Sequence, residues 1–333
     1  MGNNRRKVSI IIVTYNCAAV IGDCLRALAA QTFTNFEIIV VDNDSQDDTL
    51  AVVRPYHPDI LVATGENSGF TGGNIEGLRH ASGDYIVLLN PDTECVPRWL
   101  EFLVAAMDGD SRTGICASKL LVAGNGLIDS AGDGCTTTGR GFKRGEGLRS
   151  PSFDQPEYVF GACGGAMMIR REMIDDIGFL EKSYFLIHED TDYNFRAQLA
   201  GWKCLYVPQA VVYHKVSTSI GRLSDTAVYY SLRNSRYVLA LNMPLRLFLR
   251  YLHHHLLQEI GVFIYFVFKH RKGRGYCRAN WDFLTAWPRL MVIRRQRRMK
   301  VRLSAVQLQR KLTPVWNASL LFDKCRKLFC ADR

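Results

Sequence analysis

Carboxylates stand at three places in the 333-residue chain where residue type and spacing are suited to chemistry. Asp42 closes the apolar run Val40-Val41 before Asn43-Asp44-Ser45, a position from which it can accept an N–H of a pyrimidine base. Asp92 follows Leu88-Leu89-Asn90-Pro91. A proline directly after a strand stops the ladder and fixes the turn, so the Asp92 carboxylate faces the same crevice. Magnesium is usually held by one or two carboxylates plus substrate phosphates, which makes Asp92 the leading metal ligand. Glu189, Asp190 and Asp192 lie within four residues and open an amphipathic helix. Capping and dipole matching explain part of that cluster. Closely spaced acids also repel, raising at least one pKa and suiting a general base. Arg196 lies four residues beyond Asp192, the spacing of a helical ion pair. His214 ends a later apolar run and is a second candidate ligand, although a lone histidine is more often structural.

These residues need elements to hold them. Val8–Thr14, Glu37–Val41, Ile60–Ala63 and Tyr85–Leu89 read as strands, separated by helical patterns over Val20–Ala30, Asp48–Arg54 and Thr71–His80. The alternation predicts a parallel sheet with right-handed crossovers, covered on both faces, with ligands at the carboxyl ends of its strands. Between strands lies Glu66-Asn67-Ser68-Gly69-Phe70-Thr71-Gly72-Gly73-Asn74, which lacks the three-glycine dinucleotide fingerprint and disfavours a nicotinamide-dependent dehydrogenase. Its glycines allow close approach of backbone to a nucleotide sugar or diphosphate. Residues 123–156 are rich in glycine and turns and read as a mobile or acceptor-facing loop region. A second ordered block, 158–214, carries a strand through Gly164 and Gly165 to Ile169 and a helix from Arg170.

In this order, Val8 to Asn16, Val41 to Ser45, Asn67 to Asn74, Leu89-Asn90-Pro91-Asp92 and Glu189-Asp190-Thr191-Asp192 resemble glycosyltransferase family 2. The resemblance covers residues 8–220 and is strongest to the rhamnosyltransferase-like branch that builds bacterial surface polysaccharides. It implies a GT-A fold, an α/β Rossmann-like mixed sheet flanked by helices, and an inverting, metal-dependent transfer from a nucleotide-diphosphate sugar. The donor it implies is dTDP-L-rhamnose, with UDP-hexose or UDP-galactofuranose as alternatives, and the acceptor a polysaccharide or lipid-linked glycan. Thr14, Tyr15, Asn16, Asp42, Asn67, Gly69, Asn74 and Asn90 then fall at the donor, Asp92 and His214 at the metal, and Asp190 at the catalytic base. Glu189, Asp192, Gly164 and Gly165 fall beside the acceptor or behind the base. The family's metal-binding Asp-x-Asp reads Asn-Pro-Asp here, so its first carboxylate is missing and the choice between Mg2+ and Mn2+ stays open.

Lys and Arg number 42 against 32 Asp and Glu, a net of +10, but the surplus is unevenly placed. Residues 222–333 carry 23 basic and 5 acidic side chains, a net of +18, which leaves the first 221 residues at −8. The chain therefore divides into a catalytic part, 1–221, and a basic, mainly helical extension, 222–333. From Leu245 to Lys269 apolar residues recur at helical spacing, yet the longest run without a strongly polar side chain is nine, Ile260–Phe268. A spanning helix needs about 20. With basic clusters at 269–274 and 294–302 around Trp281 and Trp287, the extension reads as lying on an anionic membrane surface. Packing on the catalytic part or homo-oligomer formation accounts for the same pattern. No nucleic-acid partner is expected, and no secretory signal is visible, which places the protein in the cytoplasm, peripheral to the membrane's cytoplasmic face. Ten cysteines without CxxC pairing read as reduced thiols.

Overall fold

The computed structural model describes residues 8–216 and 223–317. The boundary drawn between 221 and 222 and the basic segment Met1–Lys7 lie outside the described residues. Strands β1 (Val8–Thr14), β2 (Phe36–Asp42), β3 (Ile60–Ala63) and β4 (Tyr85–Leu89) alternate with helices α1 (Ala18–Ala29), α2 (Thr49–Val53) and α3 (Gly69–His80). The four strands are parallel, in the order β3-β2-β1-β4. They are Val/Ile runs because both faces are covered. Ile10, Ile12 and Val40 meet α1 through Ile21, Leu25 and Leu28, whereas Ile11, Ile39 and Val41 face the side on which Phe70, Ile75 and Leu78 of α3 pack. Glycines let α3 lie unusually close: a Cβ at Gly77 would stand 2.4 Å from Ile11 Cγ2.

Beyond β4 the sheet is no longer parallel. Next come β5 (Thr93–Cys95), α4 (Trp99–Gly109) and β6 (Thr113–Val122). The segment from 123 to 156, expected to be a mobile or acceptor-facing loop region, contains three short strands: β7 (Ile128–Ala131), β8 (Asp133–Cys135) and β9 (Gly141–Lys143). β7 extends the main sheet by pairing with β6, and β8 and β9 form a two-stranded ribbon. Backbone ladder bonds, invisible to a reading that took glycine as a breaker, order this segment. β10 (Glu157–Val159), β11 (Ala166–Arg170), α5 (Arg171–Ile177), α6 (Glu189–Leu199) and β12 (Lys203–His214) complete the body. β11 runs antiparallel to both β4 and β6, giving a mixed sheet in the order β10-β12-β6-β11-β4-β1-β2-β3. A register shift between Val207 and Val211 redirects β12, whose last residues pair with β5 so that His214 faces Thr93.

The C-terminal helices are α7 (Asp225–Asn242), α8 (Leu245–Arg250), α9 (Leu252–Phe263), continued by a π-helical turn Ile264–Lys269, α10 (Gly273–Arg298) and α11 (Ala305–Gln309). They share a core with the body: Phe160, Tyr184, Phe195 and Leu199 pack with Tyr237, Leu241, Leu290 and Leu308. Thr313 also exchanges backbone bonds with Cys135 and Thr137 of the Gly-rich segment. Among the described residues no helix is long and apolar enough to cross a membrane.

Candidate active site

The turn after β4 sets the first half of the site. Thr93 Oγ donates to the Asn90 carbonyl at 2.6 Å and folds Asn90-Pro91-Asp92 back over the strand end. Pairing of β5 with β12 then carries His214 to Asp92, with Nε2 3.3 Å from Asp92 Oδ1. Its other ring nitrogen, Nδ1, lies 2.9 Å from Asp129 Oδ2 on β7. Burial would lower the His214 pKa, but the hydrogen bonds with Asp129 and Asp92 push it up to about 9. An imidazole fixed by a carboxylate behind it, with its front nitrogen beside a second carboxylate, is the donor arrangement of a divalent-metal site. Asp92 and His214 thus fit a metal such as Mg2+ or Mn2+, whose binding would replace the Nε2 proton.

The second half is built on the start of α6. Asp190 Oδ2 accepts from the Gly164 backbone N–H at 3.1 Å and Oδ1 from that of Thr191 at 2.6 Å. Asp133, Cys163 and Asp190 each bring one ligating atom within 4.8 Å of the others. Burial, then the Asp190 charge, pushes Asp133 up to about 7. Lys143 on β9 bridges the halves: its ammonium donates to Asp129 at 2.7 Å, while Cys163, Asp129 and Asp133 outweigh its burial and hold its pKa above the usual lysine range. A continuous line of charged side chains therefore runs from Asp92 through His214, Asp129 and Lys143 towards Asp133 and Asp190.

Within the acidic cluster the expected repulsion is felt at Glu189 but not at Asp192. Glu189 is pushed up to about 8, by burial first and the Asp190 charge second, and its Oε2 is buried with no hydrogen-bond partner. Asp192, expected near the acceptor or behind the base, is fully buried. Burial would raise its pKa, but Arg297 and Arg196 hold it at about 2. Arg297 donates at 2.6 and 3.2 Å, Arg196 at 3.1 Å, Asn242 at 2.7 Å and the Tyr184 hydroxyl at 3.1 Å. Ahead of α6, Phe185, Ile187 and His188 all take positive φ, a costly backbone for side-chain-bearing residues. Asn234 of α7 supports it, its amide reaching the carbonyls of Tyr184, Leu186 and Ile187 at 2.7 to 2.9 Å.

At the positions expected to hold the donor, Thr14 Oγ1 donates to Asp42 Oδ1 at 2.8 Å, and Ser45 donates to both Asp42 oxygens through its N–H and hydroxyl. Tyr15 is exposed at the strand end, and Asn16, with φ of 51°, accepts from the Gln46 N–H. Asn67 accepts from the Gly69 N–H, and Gly69, at φ +72°, leaves no room for a Cβ, which would sit 2.5 Å from the Phe185 carbonyl. That close approach joins the donor-side loop to the strained segment before Asp190. Asn74 is buried, its amide donating to the Phe70 carbonyl and its Oδ1 without a partner. Asn90 stands beside Gly165, whose Cβ would lie 3.2 Å from the Asn90 amide nitrogen. Asp129, Asp133 and Lys143 were missed from sequence; the only signal was charge interleaved with glycine and small residues.

A mixed GT-A sheet with carboxylates at its strand ends and a histidine at the last of them defines the nucleotide-sugar glycosyltransferase class. The chain belongs to that class through Glycosyl transferase family 2, whose pattern matches residues 9–178 and so ends before Asp190. It is 25% identical over 237 residues to N-acetylglucosaminyl-diphospho-decaprenol L-rhamnosyltransferase of Mycobacterium tuberculosis, covering 64% of this chain and 77% of that one. It is 33% identical over 109 residues to glycosyltransferase AglE of Haloferax volcanii, covering 31% and 36%. Among solved structures, the mannosyltransferase PcManGT from Pyrobaculum calidifontis, in complex with GDP-Man and Mn2+, superimposes with a TM-score of 0.52 at 17% identity, over 98% of this chain and 88% of that one. GalNAc-T7 with UDP, GalNAc and Mn2+ gives 0.59 at 16% identity, over 72% of this chain; the chain spans about half of that longer protein, 48%.

Proposed function

We propose that this glycosyltransferase is inverting and metal-dependent, with L-rhamnose from dTDP-L-rhamnose as the first-choice donor and a polysaccharide or lipid-linked glycan as acceptor. The observation that carries the reading is the pairing of Asp92 and His214, continued through Asp129 to Lys143. In an inverting transfer one carboxylate takes the proton of the acceptor hydroxyl on the face opposite the departing diphosphate. Asp190 fills that role: Gly164 N–H holds one of its oxygens, and the helix N-terminus stabilises its negative charge. Asp92 and His214 hold the divalent cation, which when bound offsets the charge of the leaving diphosphate. Asp133 stands against Asp190 and brings a second carboxyl group to the same place. The rhamnose preference rests on the Mycobacterium relative, whose name specifies L-rhamnosyl transfer to a lipid-diphosphate acceptor.

The test is a panel of dTDP- and UDP-sugars with Mg2+, with Mn2+ and with chelator, reading release of the nucleoside diphosphate. Turnover of dTDP-L-rhamnose that disappears with chelator is the expected result. Undiminished turnover in chelator removes the metal from the mechanism, and turnover confined to a UDP-sugar reassigns the donor.

A further inference from the structure

The C-terminal helices leave an apolar groove of about 670 Å³ between α7, α8, α9 and α10. Leu252, Leu256, Phe283, Leu284 and Trp287 line it, and their surroundings stay uncovered: Leu256 is 58% exposed, Leu284 63% and neighbouring Trp281 68%. His255 lines the same groove nine-tenths buried, with Nε2 lacking any hydrogen-bond partner. At the mouth stand Arg294 and Arg298. Among the described residues neither pairs with a carboxylate; Arg294 donates only to the Ala240 and Met243 carbonyls. Much of the basic surplus elsewhere is used internally, since Arg297 meets Asp192, Arg236 meets Glu259, and Arg302 meets Asp176. Arg298, which lines the groove, forms no ion pair with the described residues, so uncompensated charge stands beside the apolar face.

We propose that this groove and the face around it seat an anionic membrane lipid, with a hydrocarbon chain between α9 and α10 and the headgroup phosphate against Arg294 and Arg298. An apolar floor under an unpaired basic rim fits an amphiphile with a negative head. A second copy of this chain would bring two like-charged rims together, and a nucleic acid would leave the apolar floor unused. The face is tied to the active site. Glu259 of α9 bridges Arg236 at 2.8 Å and Arg140 at 3.4 Å, and Arg140, between β8 and β9, acts electrostatically on His188 beside Asp190. Docking here would hold the enzyme at a membrane that presents a lipid-linked acceptor; only this purpose rests on the transfer reading, and the test reads binding alone.

The full chain is sedimented with vesicles of three parts phosphatidylcholine to one part phosphatidylglycerol, and with phosphatidylcholine alone, at physiological salt. Binding to the anionic vesicles is expected, roughly tenfold weaker in Leu284→Ser/Trp287→Ser and about fivefold weaker in Arg298→Gln. All three positions line the groove, and circular dichroism checks that each variant folds. No binding to anionic vesicles, or binding that the Leu284→Ser/Trp287→Ser variant retains in full, overturns the proposal. So does a concentration-dependent dimer abolished by the same variant, because a second copy then covers the face. Complete displacement of vesicles by duplex DNA overturns it too.

Discussion

Arg297→Met should cost more stability than any other single change in the basic extension. The guanidinium donates twice to Asp192, which has no exposed surface. Breaking a buried pair from one side typically costs about 3–5 kcal/mol, because the remaining charge stays buried without compensation. Arg196, Asn242 and Tyr184 still reach Asp192, which puts the expected loss at the lower end, about 3 kcal/mol. With a urea slope of about 3 kcal/mol/M the midpoint falls by about 1 M. The pH dependence supplies a second signature. Asp192 ionises at about 2 in the folded chain against an ordinary 3.8, so its contribution is fully present above about 4 and is lost as pH falls towards 2. Removing Arg297 shrinks that acid-labile share, and the gap between wild type and variant narrows below pH 4. The double variant Asp192→Asn/Arg297→Met removes the buried carboxylate charge, leaves Arg196 held by the Ile177 and Phe179 carbonyls, and should recover about half the loss. A midpoint shift under about 0.2 M for Arg297→Met, or a double variant as unstable as the sum of the singles, refutes the reasoning.

Asp190→Asn should abolish transfer while nucleotide-sugar affinity changes less than about threefold; measurable turnover near wild type would remove it from the base role. Asp92→Ala should weaken donor binding in the presence of Mg2+ or Mn2+ and leave metal-free binding unchanged, read by calorimetry in both conditions. Glu189→Gln should be more stable than wild type at neutral pH. Glu189 binds its proton with a pKa of about 8 when folded against 4.5 ordinarily, so its contribution is present below about 4.5 and is lost as pH rises towards 8. Thermal melts from pH 5 to 8 should show the wild type declining relative to the glutamine variant, and parallel curves would contradict a buried, neutral acid.

The local pattern of the chain determined a good deal. Val/Ile runs ending in polar turns placed Asp42, Asp92 and His214 at strand ends, and the acids of 189–192 at a helix start, because strand and helix periods are properties of neighbouring residues. The basic surplus was likewise located in the last third by counting alone. Only the tertiary structure decided what those groups do. Asp129 and Lys143 reach His214 and Asp133 because a glycine-rich segment, read as a loop, pairs into β7, β8 and β9. Arg297 neutralises Asp192 across 105 positions, a partnership with no trace in local spacing. Among three neighbouring acids, Glu189 is raised and Asp192 depressed, since a pKa follows burial and charges brought close in space, and adjacency in the chain fixes neither.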